Sequence, residues 1–457
     1  MEKKLTRRRF LGKAAAAAAG LGVLGLGAQC GATPTPEIIE KVIKETVVVT
    51  PVPELTGEAH FWSMLNEGEP FQIYHSETIE LYNALKRGPT VVPKWAGRQV
   101  NEQLRVAILA GDIPEISEGS DAWIINQIVK EGLTLPFDPY LEETNCEGDA
   151  KWGDTFRKGL LDLERVDGKV MVLPHTLMTS GFFYNVAMFE ENKINIPETW
   201  DQFLEVCEAL KKLGVAPIAS DGTESGYNGW YFTWFCIRKG GPDKLLQAGL
   251  DKTGEAWDDP AFLEAAEIEE DFLKRGYFQE GYEGSTWPSA QVDWVQGRAA
   301  MIFCGSWLPA EMAPQMPEGF TTDYFPFPTI EGGAGNKVAE IWCNGYDLLK
   351  GAKNTPAAID LLKFMTSRAR QTTLPMYKAF SSINGTAVPS EQKGVAKTID
   401  AAEKLTRQKA GLIAENLEWL DTILHVEHDR LYWGEVGAKA FIENLKKASI
   451  DYWSKKE

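Results

Sequence analysis

The feature that most constrains this chain is a repeated alternation, from Glu58 onward, of short apolar runs with amphipathic helical stretches. Lys169–Leu173 is one apolar run, and Thr199–Leu213 is a helical stretch whose first residue is a good N-cap. The tail from Lys393 onward follows a helical period. Alternating strands and helices bury their apolar faces by layering helices on sheets, so the pattern predicts an α/β fold.

The length of the chain decides how many such layered units it can form. With 457 residues, 44% of them hydrophobic, the chain is long enough for two lobes of about 150 to 200 residues each. No internal repeat is visible in the sequence, which argues against solenoids and propellers. We therefore expect two separately packed lobes.

The N-terminal segment has a different composition from the rest. Thr6–Leu11 is basic and carries a twin-Arg pattern, and Ala14–Ala28 is apolar but too short to span a membrane as a mature anchor. We interpret residues 1–29 as an export signal. Residues 30–57 contain two Thr-Pro-rich stretches around a charged, β-branched segment, which predicts an extended tether.

Net charge and residue counts exclude several classes of function. The formal net charge is −18, and residues 1–29 carry six Lys or Arg against one Glu, so the exported chain has a net charge of about −23. Such a charge repels nucleic acids, and we expect no nucleic-acid partner. The five His and six Cys, without a CxxC motif, form no recognisable metal site, so we expect neither a metal nor a cofactor. The five Cys beyond Cys30 allow at most two disulfides.

Three segments, in order along the chain, carry a family resemblance. Ala110–Ile116 ends a helix and enters a strand, Gly181–Ile218 contains the run Ile-Pro-Glu-Thr-Trp-Asp-Gln-Phe, and Gly297–Trp307 is an apolar strand ending in Gly-Ser-Trp. Together they resemble the family 1 extracellular solute-binding proteins of ABC importers, of which maltose-binding protein is a member. In addition, Gly27–Cys30 resembles the lipobox of bacterial lipoproteins, in which Cys30 would be diacylated.

This resemblance implies a two-lobed periplasmic-binding-protein fold, α/β in class, with a ligand cleft between the lobes and three crossover strands acting as a hinge. The implied crossovers are Leu173–Tyr184, Ala299–Gly305 and Glu340–Tyr346. The implied lobes are 58–180 with 304–342, and 181–303 with 343–457. The resemblance further implies a monomer, tethered to the outer face of the cell membrane, that captures a sugar without altering it and delivers it to the permease subunits of an ABC importer.

Ligands of α/β folds bind at the carboxyl ends of sheet strands, which directs attention to two places in the first lobe. Trp62 and Ser63 end the first predicted strand, and Glu67 lies in the loop that follows. Ser120 and Asp121 follow the next predicted strand. We expect these five residues to line the cleft. The alternatives are a solvated loop carboxylate at Glu67 and a helix cap at Ser120 or Asp121.

Sugars present C–H patches on their ring faces and hydroxyls at their edges, so a receptor needs flat aromatic surfaces bordered by polar groups. Trp307 directly follows an apolar strand, and Gly305 lets the backbone approach a ligand closely. Trp230 stands near the start of a helix. His175 is interpreted as a structural histidine rather than a hinge-lining one. The remaining predicted ligand contacts are Trp230, Ser306, Trp307, Trp342, Asn344 and Tyr346, and packing in the core is the alternative for any single Trp.

Three other functions stay open at this point. A secreted glycoside hydrolase would also combine aromatic side chains with carboxylates, although nothing resembles a nucleophile elbow. The same fold might instead bind a polyamine, for which Glu67, Glu118 and Asp121 would supply negative charge. A glycerol-phosphate ligand would require Arg or Lys in the cleft, and the motif loops contain none. A sugar receptor without catalytic residues is the reading that we prefer.

Overall fold

The computed structural model describes residues 55–456. The predicted export signal, Cys30 and most of the predicted tether lie outside the described residues. Within residues 55–456, no helix is both long enough and apolar enough to cross a membrane.

Short strands are distributed over the whole described chain, with helices between them, as the alternating pattern predicts. The strands are β1 (Glu58–Ser63), β2 (Thr90–Trp95), β3 (Ile116–Ser120), β4 (Thr134–Leu135), β5 (Arg165–Val166), β6 (Lys169–Val170), β7 (Leu173–Met178), β8 (Ser180–Asn185), β9 (Ala216–Ala219), β10 (Ala299–Gly305), β11 (Thr322–Phe325), β12 (Val338–Glu340), β13 (Trp342–Leu349), β14 (Phe380–Ser381) and β15 (Lys404–Thr406). The tail is therefore helical except at β15, which pairs with β12.

The larger sheet belongs to the first lobe and has seven strands. Their order is β14-β7-β13-β3-β1-β2, with β4 paired to β13. β1 runs parallel to β2 and β3, whereas β13 runs antiparallel to β3 and β7. Ala59 and Phe61 of β1 are fully buried and Trp62 between Phe61 and Ser63 is half-buried, which is the alternation expected of a strand with one face in the core.

The smaller sheet belongs to the second lobe and has the order β11-β8-β10-β9. β8 runs antiparallel to β10 and β11, and β9 runs parallel to β10. Every residue of β10 is buried, because a central strand with helices on both faces has no solvent-facing side.

Helices cover both sheets, and their ends follow local capping chemistry. Thr199 caps its helix by accepting a hydrogen bond from the backbone of Gln202, whose side chain returns to the Thr199 backbone. This capping box confirms the predicted helix start. The α-helices are Pro70–Ala84, Val100–Ala110, Asp121–Ile124, Asp138–Leu141, Leu160–Leu163, Val186–Glu191, Trp200–Lys212, Ser225–Gly240, Pro242–Leu250, Pro260–Lys274, Ser289–Val295, Leu308–Met312, Thr355–Met365, Arg368–Gln371, Lys393–Ala401, Leu412–Trp419, His425–Tyr432 and Ala438–Ser454.

Within residues 55–456 the chain passes between the two sheets three times. The first passage follows Met178, where β7 of the larger sheet leads into β8 of the smaller one, as predicted. The second passage lies between Phe325 and Trp342, which includes part of the predicted crossover at Glu340–Tyr346. The third follows Ser381 in β14, after which the chain reaches a helix that packs against β11.

The predicted crossover at Ala299–Gly305 is wrong. This segment is β10, which lies wholly within the smaller sheet between β8 and β9. An apolar strand signals burial, but its residues do not reveal which sheet it joins. The chain returns to the larger sheet between Phe325 and Trp342, and the segment that follows β14 makes the remaining passage.

The predicted lobe boundaries also need correction. Segment 304–342 was assigned to the first lobe, yet β11 within it pairs with β8 of the smaller sheet. Segment 343–457 was assigned to the second lobe, yet β13 pairs with β3 and β7, and the helix Thr355–Met365 packs in the core of the larger sheet. Strand pairing, which depends on partners distant in sequence, thus divides the C-terminal part of the chain between the lobes.

The five cysteines within residues 55–456 are all free and buried. They behave as small apolar side chains in the packed interior. They are Cys146, Cys207, Cys236, Cys304 and Cys343.

Candidate functional site

Three indole rings meet where the chain crosses between the sheets. Trp307 follows β10, Trp342 is the first residue of β13, and Trp230 lies in the helix Ser225–Gly240. The ring centroids are 5.8 Å apart for Trp307 and Trp342, 6.0 Å for Trp230 and Trp342, and 6.2 Å for Trp230 and Trp307. Tyr227 adds a fourth ring, 5.6 Å from that of Trp230. We call Tyr227, Trp230, Trp307 and Trp342 the aromatic cluster.

The rings of the aromatic cluster differ in exposure. Trp230 and Trp342 are only 2% and 4% exposed, whereas Trp307 and Tyr227 are half-buried. Trp230 and Trp342 therefore form a fixed base, and Trp307 and Tyr227 present the surface that a ligand can reach. Such a surface suits the apolar face of a ring-shaped ligand.

Polar groups border the aromatic cluster on the side of the second lobe. Glu311 lies one helical turn after Trp307 and accepts a hydrogen bond from Gln291 Nε2 at 3.1 Å. Burial raises the pKa of Glu311, and hydrogen bonds from Gln291, Trp307 and Trp287, together with the charge of Arg98, oppose that shift. A carboxylate so placed is an acceptor for ligand hydroxyls.

The first lobe faces this site with Arg98 and the edge of its sheet. Arg98 donates to the Met64 carbonyl at 2.5 Å and pairs with Glu69 at 3.1 Å. Its charge acts on Glu118 of the first lobe as well as on Glu311 of the second. The Arg98 side chain is 51% exposed, and its charge opposes the rise in pKa that burial causes at a carboxyl in each lobe.

Trp62 and Ser63, the predicted contacts at the end of β1, are held by their own lobe. Lys94 Nζ lies 3.5 Å from the ring centroid of Trp62, which is half-buried. Ser63 is fully buried, and its hydroxyl donates to Glu118 Oε2 at 2.6 Å. Glu67 is exposed in its loop, in agreement with the alternative of a solvated carboxylate.

Ser120 and Asp121 lie at the start of a helix rather than in a free loop. β3 extends to Ser120, so the predicted loop after Ile116 is part of the strand. Asp121 is 1% exposed, and its carboxylate accepts from the backbone N–H of Ala122 at 2.6 Å and of Cys343 at 3.1 Å. Both oxygens of Asp121 are thereby engaged with backbone, whereas Ser120, at the N-cap position, makes no side-chain capping hydrogen bond.

Ser306, Asn344 and Tyr346 are also buried. The Ser306 N–H donates to the Thr179 carbonyl at 2.8 Å, and its hydroxyl accepts from the Thr179 N–H at 3.2 Å, so Ser306 ties β10 to the first passage between sheets. Asn344 is 6% exposed and pairs in register with Ser120 of β3.

Tyr346 is a correction to the sequence analysis. It is fully buried in the core of the first lobe, stacked on His175 at 4.7 Å, with its hydroxyl 3.0 Å from His75 Nε2. Tyr346 points to the same face of β13 as Trp342, but it lies four residues further along the strand, inside the larger sheet and away from the aromatic cluster.

Sequence analysis identified Trp230, Trp307 and Trp342, and the structure brings these three together. Sequence analysis missed Tyr227 and Glu311, although their spacing from Trp230 and Trp307 could have identified them. Tyr227 is three residues before Trp230, and Glu311 is four residues after Trp307, so each pair shares a helix face. Arg98 carried no comparable signal, because its place at the site depends on tertiary packing.

Two buried side-chain groups have the composition of metal sites. His75, Glu118 and His175 form one, and Asp121, Glu164 and Cys343 form the other, with the ligand atoms of each group within 4.8 Å of one another. In the second group, the raised pKa values of Asp121 and Glu164 follow from burial, so these two carboxyls hold protons readily. The first group is considered further below.

Residues 65–372 match the model of the family described as bacterial extracellular solute-binding protein. An uncharacterised ABC transporter extracellular-binding protein of Pyrococcus horikoshii is 35% identical over 41% of this chain and 42% of its own length. The diacetylchitobiose binding protein of Streptomyces coelicolor is 22% identical over 76% of this chain and 75% of its own length.

Solved structures agree with the sequence comparisons on the fold. A chitin oligosaccharide binding protein superposes with a TM-score of 0.70 at 22% identity, covering 87% of this chain and 99% of that protein. At this identity the likeness establishes the two-lobed α/β fold. Because the family model spans well over half of the residues, the chain belongs to the family of bacterial extracellular solute-binding proteins.

Proposed function

We propose that this protein is the sugar receptor of an ABC importer, which holds a mono- or oligosaccharide on the aromatic cluster and delivers it unaltered to membrane permease subunits. The observation that carries the proposal is the meeting of three indole rings within 5.8 to 6.2 Å at the passage between sheets, one of them half-exposed. The family comprises exported binding proteins rather than enzymes.

The relatives support a carbohydrate ligand. One of them is named for diacetylchitobiose, and a similar solved structure is named for chitin oligosaccharides. Both ligand names denote sugars with hydroxyl and amide groups around apolar ring faces. The aromatic cluster offers flat surfaces for the faces, and Glu311, Gln291 and Arg98 offer acceptors and donors for the edges.

The two lobes supply the means of capture. An open state exchanges ligand, and a closed state encloses it between Arg98 of the first lobe and Trp307 of the second. A sugar shifts this equilibrium only by its greater affinity for the closed state. Passages of the chain between the sheets act as the hinge.

We further propose that Cys30 anchors the monomeric protein to the outer face of the cell membrane through a lipid, with residues 30–57 as tether. The anchor keeps the receptor close to the permease subunits that accept its ligand.

Binding of sugars to the purified exported domain tests the proposal. A thermal-shift screen would include chito-oligosaccharides, other mono- and oligosaccharides, spermidine and glycerol 3-phosphate, since a ligand in excess of its Kd raises the apparent stability. Calorimetry would then measure Kd for the sugar giving the largest shift. We expect Trp307→Ala to raise that Kd by about 30-fold, which corresponds to about 2 kcal/mol.

Trp453→Ala is the matched control, because Trp453 is also half-buried but lies in the C-terminal helix Ala438–Ser454. Its Kd should equal that of the wild-type protein. Unchanged binding by Trp307→Ala would contradict the site. A shift with spermidine or glycerol 3-phosphate but with no sugar would contradict the ligand class, and hydrolysis of the sugar would contradict a pure receptor.

A further inference from the structure

Three side chains from three different elements converge in the interior of the first lobe. His75 comes from the helix Pro70–Ala84, Glu118 from β3 and His175 from β7. Their ligand atoms all lie within 4.8 Å of one another, and none of the three residues is more than 1% exposed. We call these three residues the His–Glu–His group.

Two members of the group, Glu118 and His175, have buried polar atoms without a hydrogen-bond partner, and the third, His75, has a ring nitrogen that accepts from the Tyr346 hydroxyl. The Nδ1 of His75 lies 2.6 Å from the Phe71 carbonyl and must donate to it, which leaves Nε2 unprotonated in the neutral ring. Glu118 Oε2 accepts from Ser63, whereas Oε1 has no hydrogen-bond partner. Neither ring nitrogen of His175 has a partner.

Direct hydrogen bonding does not account for this arrangement. His175 Nε2 and Glu118 Oε1 are 3.6 Å apart, which is too long for a hydrogen bond. Buried polar atoms are nearly always satisfied, and leaving two on His175 and one on Glu118 without partners is costly. A positively charged centre between the three side chains would satisfy Glu118 Oε1 and one ring nitrogen of His175.

The donor chemistry fits one class of ion. Two imidazole nitrogens and one carboxylate oxygen form a common zinc ligand set. Ligating histidines characteristically donate their other N–H to a backbone carbonyl, as His75 does to Phe71.

We propose that His75 Nε2, Glu118 Oε1 and a ring nitrogen of His175 bind one divalent transition-metal ion of the zinc class. In the structure the Tyr346 hydroxyl donates to His75 Nε2 at 3.0 Å, and metal binding at Nε2 would replace this hydrogen bond. The ion would join β3, β7 and the first helix, and β7 leads directly into the first passage between sheets. The ion would therefore cross-link elements of the first lobe next to the hinge, at a site distinct from the aromatic cluster.

Metal content of the tag-free exported domain tests this inference. The protein would be stripped with EDTA, incubated with Zn²⁺ or Co²⁺ and desalted, and its metal measured by mass spectrometry. We expect one equivalent of either metal, the visible absorption of tetrahedral Co²⁺, and a higher melting temperature with Zn²⁺. His175→Gln and Glu118→Gln should each weaken Zn²⁺ binding by more than about tenfold.

His428→Gln is the matched control. His428 is a fully buried histidine that pairs with buried Glu269 at 2.8 Å in the second lobe, so its loss disturbs a core without touching the His–Glu–His group. This variant should retain one equivalent of metal. Wild-type protein that binds no metal would overturn the inference, whether or not the variants fold, and so would metal binding that both ligand variants leave intact.

Discussion

The interiors of the two lobes differ beside the cleft, although each buries some ionisable side chains, such as Arg238 in the second lobe. In the second lobe, Phe327 is fully buried among aromatic rings, stacked at 5.5 Å on Trp200 and at 5.6 Å on Trp234. In the first lobe, the corresponding interior holds ionisable groups, including Glu118 and Asp347, both at most 1% exposed.

This difference indicates that the interiors of the two lobes have different roles. The ring of Phe327 packs against that of Phe303, with centroids 5.7 Å apart, and the ring of Phe303 packs against Trp230 of the aromatic cluster, with centroids 6.0 Å apart. This continuous apolar packing supports the stacking surface from the interior of the lobe. The interior of the first lobe depends instead on protonation and on any bound cation, so the lobes should respond differently to mutation and to pH.

The largest effect is expected from Phe327→Ala. Removing this ring leaves a cavity among several aromatic side chains, which should lower the free energy of unfolding by about 3 to 5 kcal/mol. Denaturant unfolding, followed by tryptophan fluorescence, measures the change. Phe320→Ala is the control, because this half-buried ring contacts Trp294 at the edge of the same lobe. Its removal should lower the free energy of unfolding by clearly less. An equal decrease in the free energy of unfolding in the two variants would refute a special role for the aromatic interior.

The first lobe should show a pH dependence that arises from Asp347. Burial raises the pKa of its carboxyl from 3.8 to about 7, although a hydrogen bond from Ser117 opposes the shift. The folded chain therefore holds this proton more tightly than the unfolded chain. The resulting stabilisation is complete below about pH 4 and is lost as the pH rises through about 7.

Asp347→Asn should accordingly flatten the dependence of the unfolding free energy on pH between about 4 and 7, by up to about 4 kcal/mol over that range. Denaturant unfolding at several pH values measures the slope. Asp243→Asn, at a carboxylate that is 83% exposed, should leave the slope as in the wild type. A slope unchanged in Asp347→Asn would show that this carboxyl is not the source.

The smallest effect is expected where the lobes touch away from the aromatic cluster. Lys130 Nζ of the first lobe donates to the carbonyls of Ala414 at 2.7 Å and Glu415 at 2.8 Å in the second. If these bonds stabilise the closed state, Lys130→Met should raise the sugar Kd by about two- to fivefold, equivalent to about 0.5 to 1 kcal/mol. Calorimetry measures Kd, and Lys439→Met, at an exposed lysine, should have no effect. Unchanged affinity in Lys130→Met would show that this contact does not favour closure.

Local sequence patterns predicted much of the fold. The passage from β7 to β8, which the family resemblance implied, is confirmed, as are the α/β class and the helix that Thr199 caps. Capping chemistry and strand periodicity depend on neighbouring residues, which explains these successes. The partners of β10 and β13 depend on residues far away in sequence, and both were assigned to the wrong sheet or lobe.

The site shows the same limit. Trp307 was found because a Gly-Ser-Trp turn follows an apolar strand, and the structure places it in the aromatic cluster. Tyr346 was placed wrongly, because the depth to which β13 enters the larger sheet depends on its pairing with β3 and β7. The His–Glu–His group carried no sequence signal, since its members are widely separated and form no metal-binding spacing.

A crystal structure of the exported domain with its tightest-binding sugar tests the central claim most directly. The account predicts a sugar ring lying face-on against Trp307, within about 4.5 Å of the indole atoms, with its hydroxyls bonded to Glu311 and to a polar group of the first lobe such as Arg98. A sugar bound away from the aromatic cluster, or held by one lobe alone, would contradict it.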